Sequence, residues 1–347
     1  MTVRIGVIGT GAIGADHIRR LVAVLAGAAV TAVTDVDADR AARVAATVPG
    51  PAVRGPAVRG PAVRGTAAEV IADDQVDAVL VASSGPAHEE PVLACIAAGK
   101  PVFCEKPLAP TARACRRIVE AEVRAGRRLV QVGYMRRYDA AHRALWRVAH
   151  DGSIGAPLLL HMAHRNPRVA AIRTSEMAIG ESAVHEIDVT RWLLAEEIAA
   201  ATVLRPRPSS RAVPGLQDPM MIVLETASGV LADVELNINA GYGYDIRAEL
   251  VGESGTAALA DGGGIVVTRA ASRRSDVPAD WLERFARAYD TELQEWVDAA
   301  AAGGPAAGPS SWDGYAAAVV ADACIASLHD GGRAAVSLPA RPDLYRE

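Results

Sequence analysis

The sequence predicts an α/β protein: a doubly wound parallel sheet at the N-terminus, followed by a C-terminal α+β domain with a large open-faced mixed sheet. Three observations carry that expectation. Short β-branched runs alternate with helical periodicity up to about residue 135. Glycines cluster at the first strand-to-helix junction. Past residue 152 the pattern changes to long alternating strands with few helices between them.

The first strand, Val3 to Ile8, runs into Gly9, Gly11 and Gly14 and then into helical periodicity. A GxGxxG spacing is weak by itself, but here it ends a strand and opens a helix. Gly9 permits a tight turn, Gly11 lets backbone N–H groups reach a pyrophosphate, and Gly14 lets helix and strand pack closely, with the positive helix end toward the phosphates. The next strand, AVTAVTDVD, delivers Asp35, placed to accept hydrogen bonds from adenosine ribose hydroxyls. A carboxylate there repels a 2′-phosphate, so the expected cofactor is NAD rather than NADP. The alternative makes Asp35, helped by Asp37, the cap of a helix beginning near Ala38.

Residues 51–65 repeat PAVRG three times. Proline and glycine every five residues exclude a regular helix or an interior strand, and a flexible or polyproline-like surface loop is expected. Alternation then resumes: DAVLVASS as a strand, HEEPVLACIAAG as a helix, KPVFCEKP as a strand and turn, TARACRRIVEAEVRAG as a helix and RLVQVGYM as a strand. Ligands of such sheets bind beyond the C-terminal strand ends, where Ser83, Ser84, Pro86, His88, Glu105, Lys106 and Met135 fall. Lys106 lies between Glu105 and Pro107. It is either a surface lysine paired with its neighbour or an ammonium that stabilises a substrate oxygen near the nicotinamide.

In the second half PLLLHMAHR, MMIVLETAS, GVLADVELNIN, YDIRAELVGE and TAALADGGGIVVTR read as strands. WLERFARAYDTELQEWVDAAAA and SWDGYAAAVVADACIASLHDG read as two late helices that pack back on the first domain. Length fits two domains, 1–135 and 136–347. Half of the residues are apolar and 22% charged, a globular composition. A net charge of −5 without a basic cluster argues against nucleic acid. Four scattered cysteines suit a reducing compartment and offer no zinc spacing, so no metal is expected. Neither a targeting pattern nor a bilayer-length apolar run is visible, which makes a cytoplasmic protein without membrane contact the expectation. The broad sheet leaves a face to cover, and a homo-oligomer, dimer or tetramer, follows from it.

The stretch GESAVHEIDVTRWL (180–193) sets an imidazole among carboxylates. At helical spacing Glu181, His185 and Asp188 share one face while Val184, Ile187 and Trp192 anchor the helix. From this stretch alone, a solvated face that happens to carry a histidine is an equally good reading.

With these residues in view, the chain resembles the Gfo/Idh/MocA oxidoreductases and, within them, the myo-inositol 2-dehydrogenases, over nearly its whole length outside the PAVRG insertion. IGTGAIG, the CEKP turn and the VHEID helix carry the family likeness. VGYMRRYD, HMAHRNP, YGYD and SSWDGYAAAV carry the closer one. The resemblance implies a Rossmann domain, an open-faced sheet domain, NAD, and oxidation of a cyclitol hydroxyl to a ketone, myo-inositol to 2-keto-myo-inositol (scyllo-inosose). It also implies that Lys106 and His185 are the catalytic lysine and histidine, and that Asp188 binds vicinal hydroxyls. Met135, Arg136, His164, Asn166, Tyr242 and Tyr244 match a polyol pocket; Gly9, Gly11, Ala12, Ile13 and Asp35 match the cofactor site. Two positions depart from the pattern: Glu181 replaces an aspartate, and Ser84 stands where an aromatic residue is frequent.

The chemistry such residues can perform is alcohol oxidation. His185 accepts the hydroxyl proton, Glu181 orients its ring, Asp188 selects the carbon presented, and Lys106 holds the reacting oxygen. Each has a plainer alternative. His164 reads equally as a core histidine, Tyr242 and Tyr244 as rings stacked on the sheet, Arg136 as a helix cap or phosphate ligand, and Trp312 and Tyr315 as packing. Rival functions are oxidation of another polyol (scyllo-inositol, an inosamine or a pyranose sugar), redox-assisted elimination at a glycoside, or NAD(H)/sugar sensing without turnover.

Overall fold

A computed structural model describes residues 2–48, 60–170, 173–260, 266–269, 272–304 and 308–346. The described chain divides into two compact units. One comprises residues 1–134, 289–316 and 339–347, the other residues 135–288 and 317–338.

The first unit follows the predicted alternation: β1 (Val3–Ile8), α1 (Ala12–Ala23), β2 (Ala28–Thr34), α2 (Ala38–Thr47), β3 (Ala62–Val63), α3 (Ala67–Ala72), β4 (Ala78–Val81), α4 (Glu89–Ala97), β5 (Val102–Glu105), α5 (Ala112–Ala125) and β6 (Val130–Gly133). The strands form one sheet in the order β3-β2-β1-β4-β5-β6, each neighbour pair parallel. Burial on both faces explains why these strands read as unbroken apolar runs. The order reverses between β1 and β4, which opens a crevice at their C-terminal ends.

The PAVRG expectation needs a correction. Residues 51–59 lie outside the described residues, but the third copy is not a loop. Pro61 is buried, and Ala62–Val63 pairs with β2 in register Ala32↔Ala62. Proline is tolerated there because an edge strand leaves one row of backbone groups unpaired. Arg64 then ties the edge down: its N–H donates to Val33 O at 2.9 Å and its guanidinium to Asp73 at 2.5 Å.

The second unit holds α6 (Ala140–His150), β7 (Pro157–Arg165), α7 (Ser175–Met177), α8 (Val184–Leu194), β8 (Ile198–Leu204), β9 (Met220–Thr226), β10 (Leu231–Asn237), β11 (Asp245–Gly252), β12 (Thr256–Ala258), the hairpin β13 (Val266–Arg269) and β14 (Ser272–Ser275), and α9 (Trp281–Arg284). Seven strands form a mixed sheet, β12-β11-β7-β10-β9-β8 closed by β15 (Arg333–Ala335). β7 and β10 run parallel and the other pairs antiparallel. Alternation puts Leu160, Met162, His164, Ala248 and Leu250 on the buried face against α8. The opposite face carries charge pairs: Arg165 with Glu235 and Asp245, and His161 with Asp233.

Two late elements, α10 (Ala286–Ala302) and α11 (Ser311–Asp330), complete the chain. Instead of one cut after residue 135, the first unit takes Tyr289–Ala316 as part of itself. Leu293, Trp296 and Val297 of α10 belong to the same core as Val3, Ile5, Leu80 and Phe103. From Ala317 onward α11 belongs to the second unit.

Local differences from the sequence reading have clear causes. TAALADGGGIVVTR is broken: β12 ends at Ala258, and Val266–Arg269 pairs with β14 instead of the main sheet. WLERFARAY is interrupted at Phe285, whose φ of −113° leaves the helical region. β8 and β15 carry no strand signal in the sequence, because IAAATVL and RAA are alanine-rich and alanine has no preference for strands.

Candidate active site

In the first unit the crevice is built from backbone. Gly9 has φ +96°, and a Cβ there would overlap the main chain of Ala82 and Ser83. A Cβ on Gly14 would strike the Gly9 carbonyl, whereas one on Gly11 would meet open space. The loop is therefore closed where strand and helix pack, and open where a phosphate needs to approach. Gly11 caps α1 without a side-chain hydrogen bond, leaving the first N–H groups for an anion. Beside it the Ser83 hydroxyl is buried without a hydrogen-bond partner. An orphaned donor at the switch point, together with this glycine cradle, fits a dinucleotide. Gly9→Ala is expected to destabilise the unit and to abolish NADH binding, measured by fluorescence titration. Retention of both would show that the turn accepts a side chain.

Asp35 follows β2 and is nearly enclosed. It accepts from Thr10 N (2.7 Å), the Thr10 hydroxyl (3.0 Å) and Asp37 N (3.0 Å), and it pairs with Arg40 at 2.5 Å. Burial alone would raise its pKa, but the Arg40, Asp37 and Thr10 donors hold it well below the ordinary carboxylate range. The capping alternative belongs to Asp37, whose side chain accepts from Arg40 N at 2.9 Å.

Other crevice residues have supporting roles. His88 spans two backbone carbonyls, Ser83 O at 2.9 Å and Pro107 O at 2.8 Å, bracing the end of β4 against the turn after β5. Glu105 is buried; its Oε1 lies 2.7 Å from His17 Nε2 and its Oε2 accepts the Lys106 N–H. Burial opposes its charge, but His17 and Lys106 outweigh it and the pKa falls. Glu105 thus holds the lysine turn in shape through α1. Ala12, Ser84 and Pro86 are exposed at the rim, and Ile13 is half-buried.

In the second unit the opening stretch is not one regular helix. Ala178–Ala183 is a π-helical turn, and α8 begins at Val184. Glu181 therefore lies on a wider turn than a 3.6-residue wheel supposes, half-exposed and ion-paired with Arg173. His185 is buried on α8. Asp188 is also buried, and its two oxygens meet the Arg137 guanidinium at 2.5 and 2.9 Å.

Glu186, adjacent to His185 and given no role from sequence, forms the centre of a buried cluster. It is ion-paired to Arg136, and its Oε2 lies 2.9 Å from His164 Nδ1. Burial raises the Glu186 carboxyl, yet the charges of Arg136 and His164 bring it down to about 2. The His164 ring lies 6.3 Å from that of His185 and 5.9 Å, edge-on, from that of Tyr244. Arg136 is thus neither cap nor phosphate ligand; it is buried against Phe285 and Glu186. The signal that could have revealed Glu186 is its burial side: the face of α8 opposite solvent carries an ionisable group that needs a counter-charge.

Of the expected pocket residues, Met135, Arg136, His164 and Tyr244 are buried within the second unit. Asn166 is held by its backbone, donating to Asn237 O and accepting from Ala240 N. Tyr242 is not part of this cluster. It is 54% exposed, and its hydroxyl donates to Asp245 at 2.7 Å beside Arg165. Trp312 and Tyr315 are buried, Trp312 stacked on Tyr345.

A six-stranded parallel sheet with a glycine cradle at its switch point and a carboxylate after β2, joined to a mixed-sheet unit rich in buried histidine and carboxylate, defines a two-domain NAD-dependent oxidoreductase. Residues 3–134 match the family model for the oxidoreductase NAD-binding Rossmann fold, and residues 149–337 its C-terminal alpha/beta domain. The chain belongs to the Gfo/Idh/MocA oxidoreductase family. It is 52% identical over 345 residues to inositol 2-dehydrogenase 3 of Saccharopolyspora erythraea, covering 99% of this chain and 98% of that protein. It is 53% identical over 352 residues to an inositol 2-dehydrogenase of Pseudomonas fluorescens, covering 99% and 100%. The crystal structure of myo-inositol dehydrogenase from Lactobacillus casei, in complex with NAD(H) and myo-inositol, superposes with a TM-score of 0.94. That chain is 39% identical, with full coverage of both. Among the described residues no helix is long and apolar enough to cross a membrane.

Proposed function

We propose that this enzyme oxidises a secondary hydroxyl of a cyclitol to the ketone, with myo-inositol as substrate and 2-keto-myo-inositol as product. The observation that carries the reading is full-length identity of about one half to proteins described as inositol 2-dehydrogenases.

NAD, when bound, supplies the hydride acceptor at nicotinamide C4. Gly9, Gly11, Ala12, Ile13 and Gly14 receive its pyrophosphate, Asp35 its adenosine ribose, and Ser83 donates the buried hydroxyl that otherwise lacks an acceptor. Pro86, His88 and Glu105 shape the wall, the last two by bracing the backbone on either side. His185 accepts the hydroxyl proton at an imidazole nitrogen, the natural choice near neutral pH. Lys106 donates a hydrogen bond to the reacting oxygen and stabilises its alkoxide character. Glu181 acts as one half of a pair with Arg173, setting the field at the start of α8. Asp188 in the grip of Arg137, His164, Asn166 and Met135, with Tyr244 and Arg136 behind them, accept and shape the neighbouring hydroxyls. Tyr242, exposed among the charge pairs of the open sheet face, stands outside this cluster and takes no part in it.

The reading extends to a cytoplasmic homo-oligomer, a tetramer or dimer. It is supported by four buried free cysteines and by exposed Leu159 and Leu231, which are register neighbours on the open sheet face. Light scattering of the purified protein tests the assembly.

The decisive experiment is NADH formation from NAD with myo-inositol, scyllo-inositol, inosamines and free sugars. Turnover with myo-inositol foremost is expected. Preference for another polyol would replace the substrate, and NADH binding without any turnover would make the protein a sensor.

A further inference from the structure

The Asp35 carboxylate is saturated before any ribose arrives. Its Oδ2 accepts from Thr10 N at 2.7 Å, the Thr10 hydroxyl at 3.0 Å and Arg40 Nε at 3.2 Å. Its Oδ1 accepts from Asp37 N at 3.0 Å and the Arg40 guanidinium at 2.5 Å. A carboxylate offers about four lone-pair sites, so a ribose diol can bond Asp35 only by displacing a donor. Thr10 N and Asp37 N cannot leave, because the β1–α1 turn and the first turn of α2 fix them. The Arg40 side chain can. It is 40% exposed on a flexible stem, and Asp37, 3.9 Å away, offers it a second resting place.

A guanidinium displaced from Asp35 stays tethered to the first turn of α2, at the site where the ribose 2′ position is recognised. Arginine matches a phosphate bidentately, and its charge offsets the repulsion that a lone carboxylate would impose. We infer that Arg40 is a second cofactor-specificity residue: it competes with the adenosine ribose for Asp35, and it receives a 2′-phosphate, so that the site binds NADP(H) as a weaker second cofactor. Discrimination is then a property of the Asp35–Arg40 pair and not of the carboxylate alone. The inference rests on placing the adenosine ribose at Asp35, and it is independent of which polyol is oxidised.

Calorimetric titration of NADH and NADPH into the full-length wild type and R40A, with no polyol present, tests it. The wild type is expected to bind NADPH measurably, though more weakly than NADH. In R40A the two affinities move in opposite directions. NADH tightens as Asp35 is freed, and NADPH weakens by roughly tenfold or more, the scale of a lost charge-assisted hydrogen bond. R40K, which keeps the charge without the fork, restores part of the NADPH binding and none of the competition relief. Matching thermal unfolding of the variants and the wild type confirms that the fold is unchanged. An NADPH-to-NADH affinity ratio that falls by less than about tenfold in R40A, or a wild type that does not bind NADPH, would overturn the proposal.

Discussion

His185→Ala is expected to lower kcat for polyol oxidation by about 10²–10⁴-fold, the usual contribution of a positioned base, while NADH affinity stays within a few-fold. The separation follows from where the residue sits. His185 belongs to α8 in the second unit, whereas the glycine cradle and Asp35 belong to the first. The check is paired: steady-state turnover with saturating NAD and polyol, and a fluorescence titration of NADH. Loss of binding in parallel with turnover would show that the histidine holds the helix and not the proton. The variant carries a modest packing penalty, because His185 is buried and its ring lies near that of His164. His185→Gln separates that effect, since it retains bulk and hydrogen bonding but cannot accept the proton. It is expected to melt near the wild-type temperature and to remain as inactive as the alanine variant.

The first unit was legible in the sequence because its signals are local. β-branched runs of four to seven residues, a glycine turn and a carboxylate after β2 each state their own physics within a few positions. The edge strand in the PAVRG repeat was not legible, because the pattern that argues against a strand, proline and glycine in alternation, is overridden where only one side needs pairing. In the second unit the long strands were plain from their period of two, but β8 was hidden in IAAATVL, where a run of alanines gives neither alternation nor strand preference. The candidate site divides in the same way. Lys106, His185 and Asp188 stand out by residue type and motif. What surrounds them depends on contacts between residues far apart in sequence: Arg136 with Glu186 across 50 positions, and His17 with Glu105 across 88. The π-helical turn at Ala178–Ala183 is a third kind of miss. No residue type marks it, yet it rotates Glu181 out of the register that an ideal helix imposes.

Arg136 and Glu186 provide the second large expected effect. Both side chains are buried, and the carboxylate is divided between the arginine and His164 Nδ1. Arg136 also approaches that nitrogen, at 3.3 Å, but one ring atom cannot both receive the arginine proton and donate to the carboxylate. The shorter 2.9 Å contact to a charged acceptor favours Nδ1–H toward Glu186. Removing one charge strands the other. Arg136→Met is therefore expected to destabilise the protein by roughly 3–5 kcal/mol, with Arg136→Met/Glu186→Gln recovering much of the loss. Urea denaturation of the two single variants and the double variant measures the coupling; additive effects would mean that the ion pair contributes nothing. The pH dependence has a definite sign. Because the folded Glu186 carboxyl lies at about 2, below its ordinary value, its contribution is complete above the unfolded carboxyl range and is lost as pH falls from about 4.5 toward 2. The wild type should therefore lose its stability advantage over Glu186→Gln across that interval and keep it unchanged between pH 6 and 8. Glu186→Gln also alters the hydrogen bond that orients His164, so the polyol KM is expected to rise several-fold, with NADH affinity unaffected. A shift in the His164 ¹⁵N resonances of the variant would tie that KM change to the tautomer and not to a general loosening of the fold.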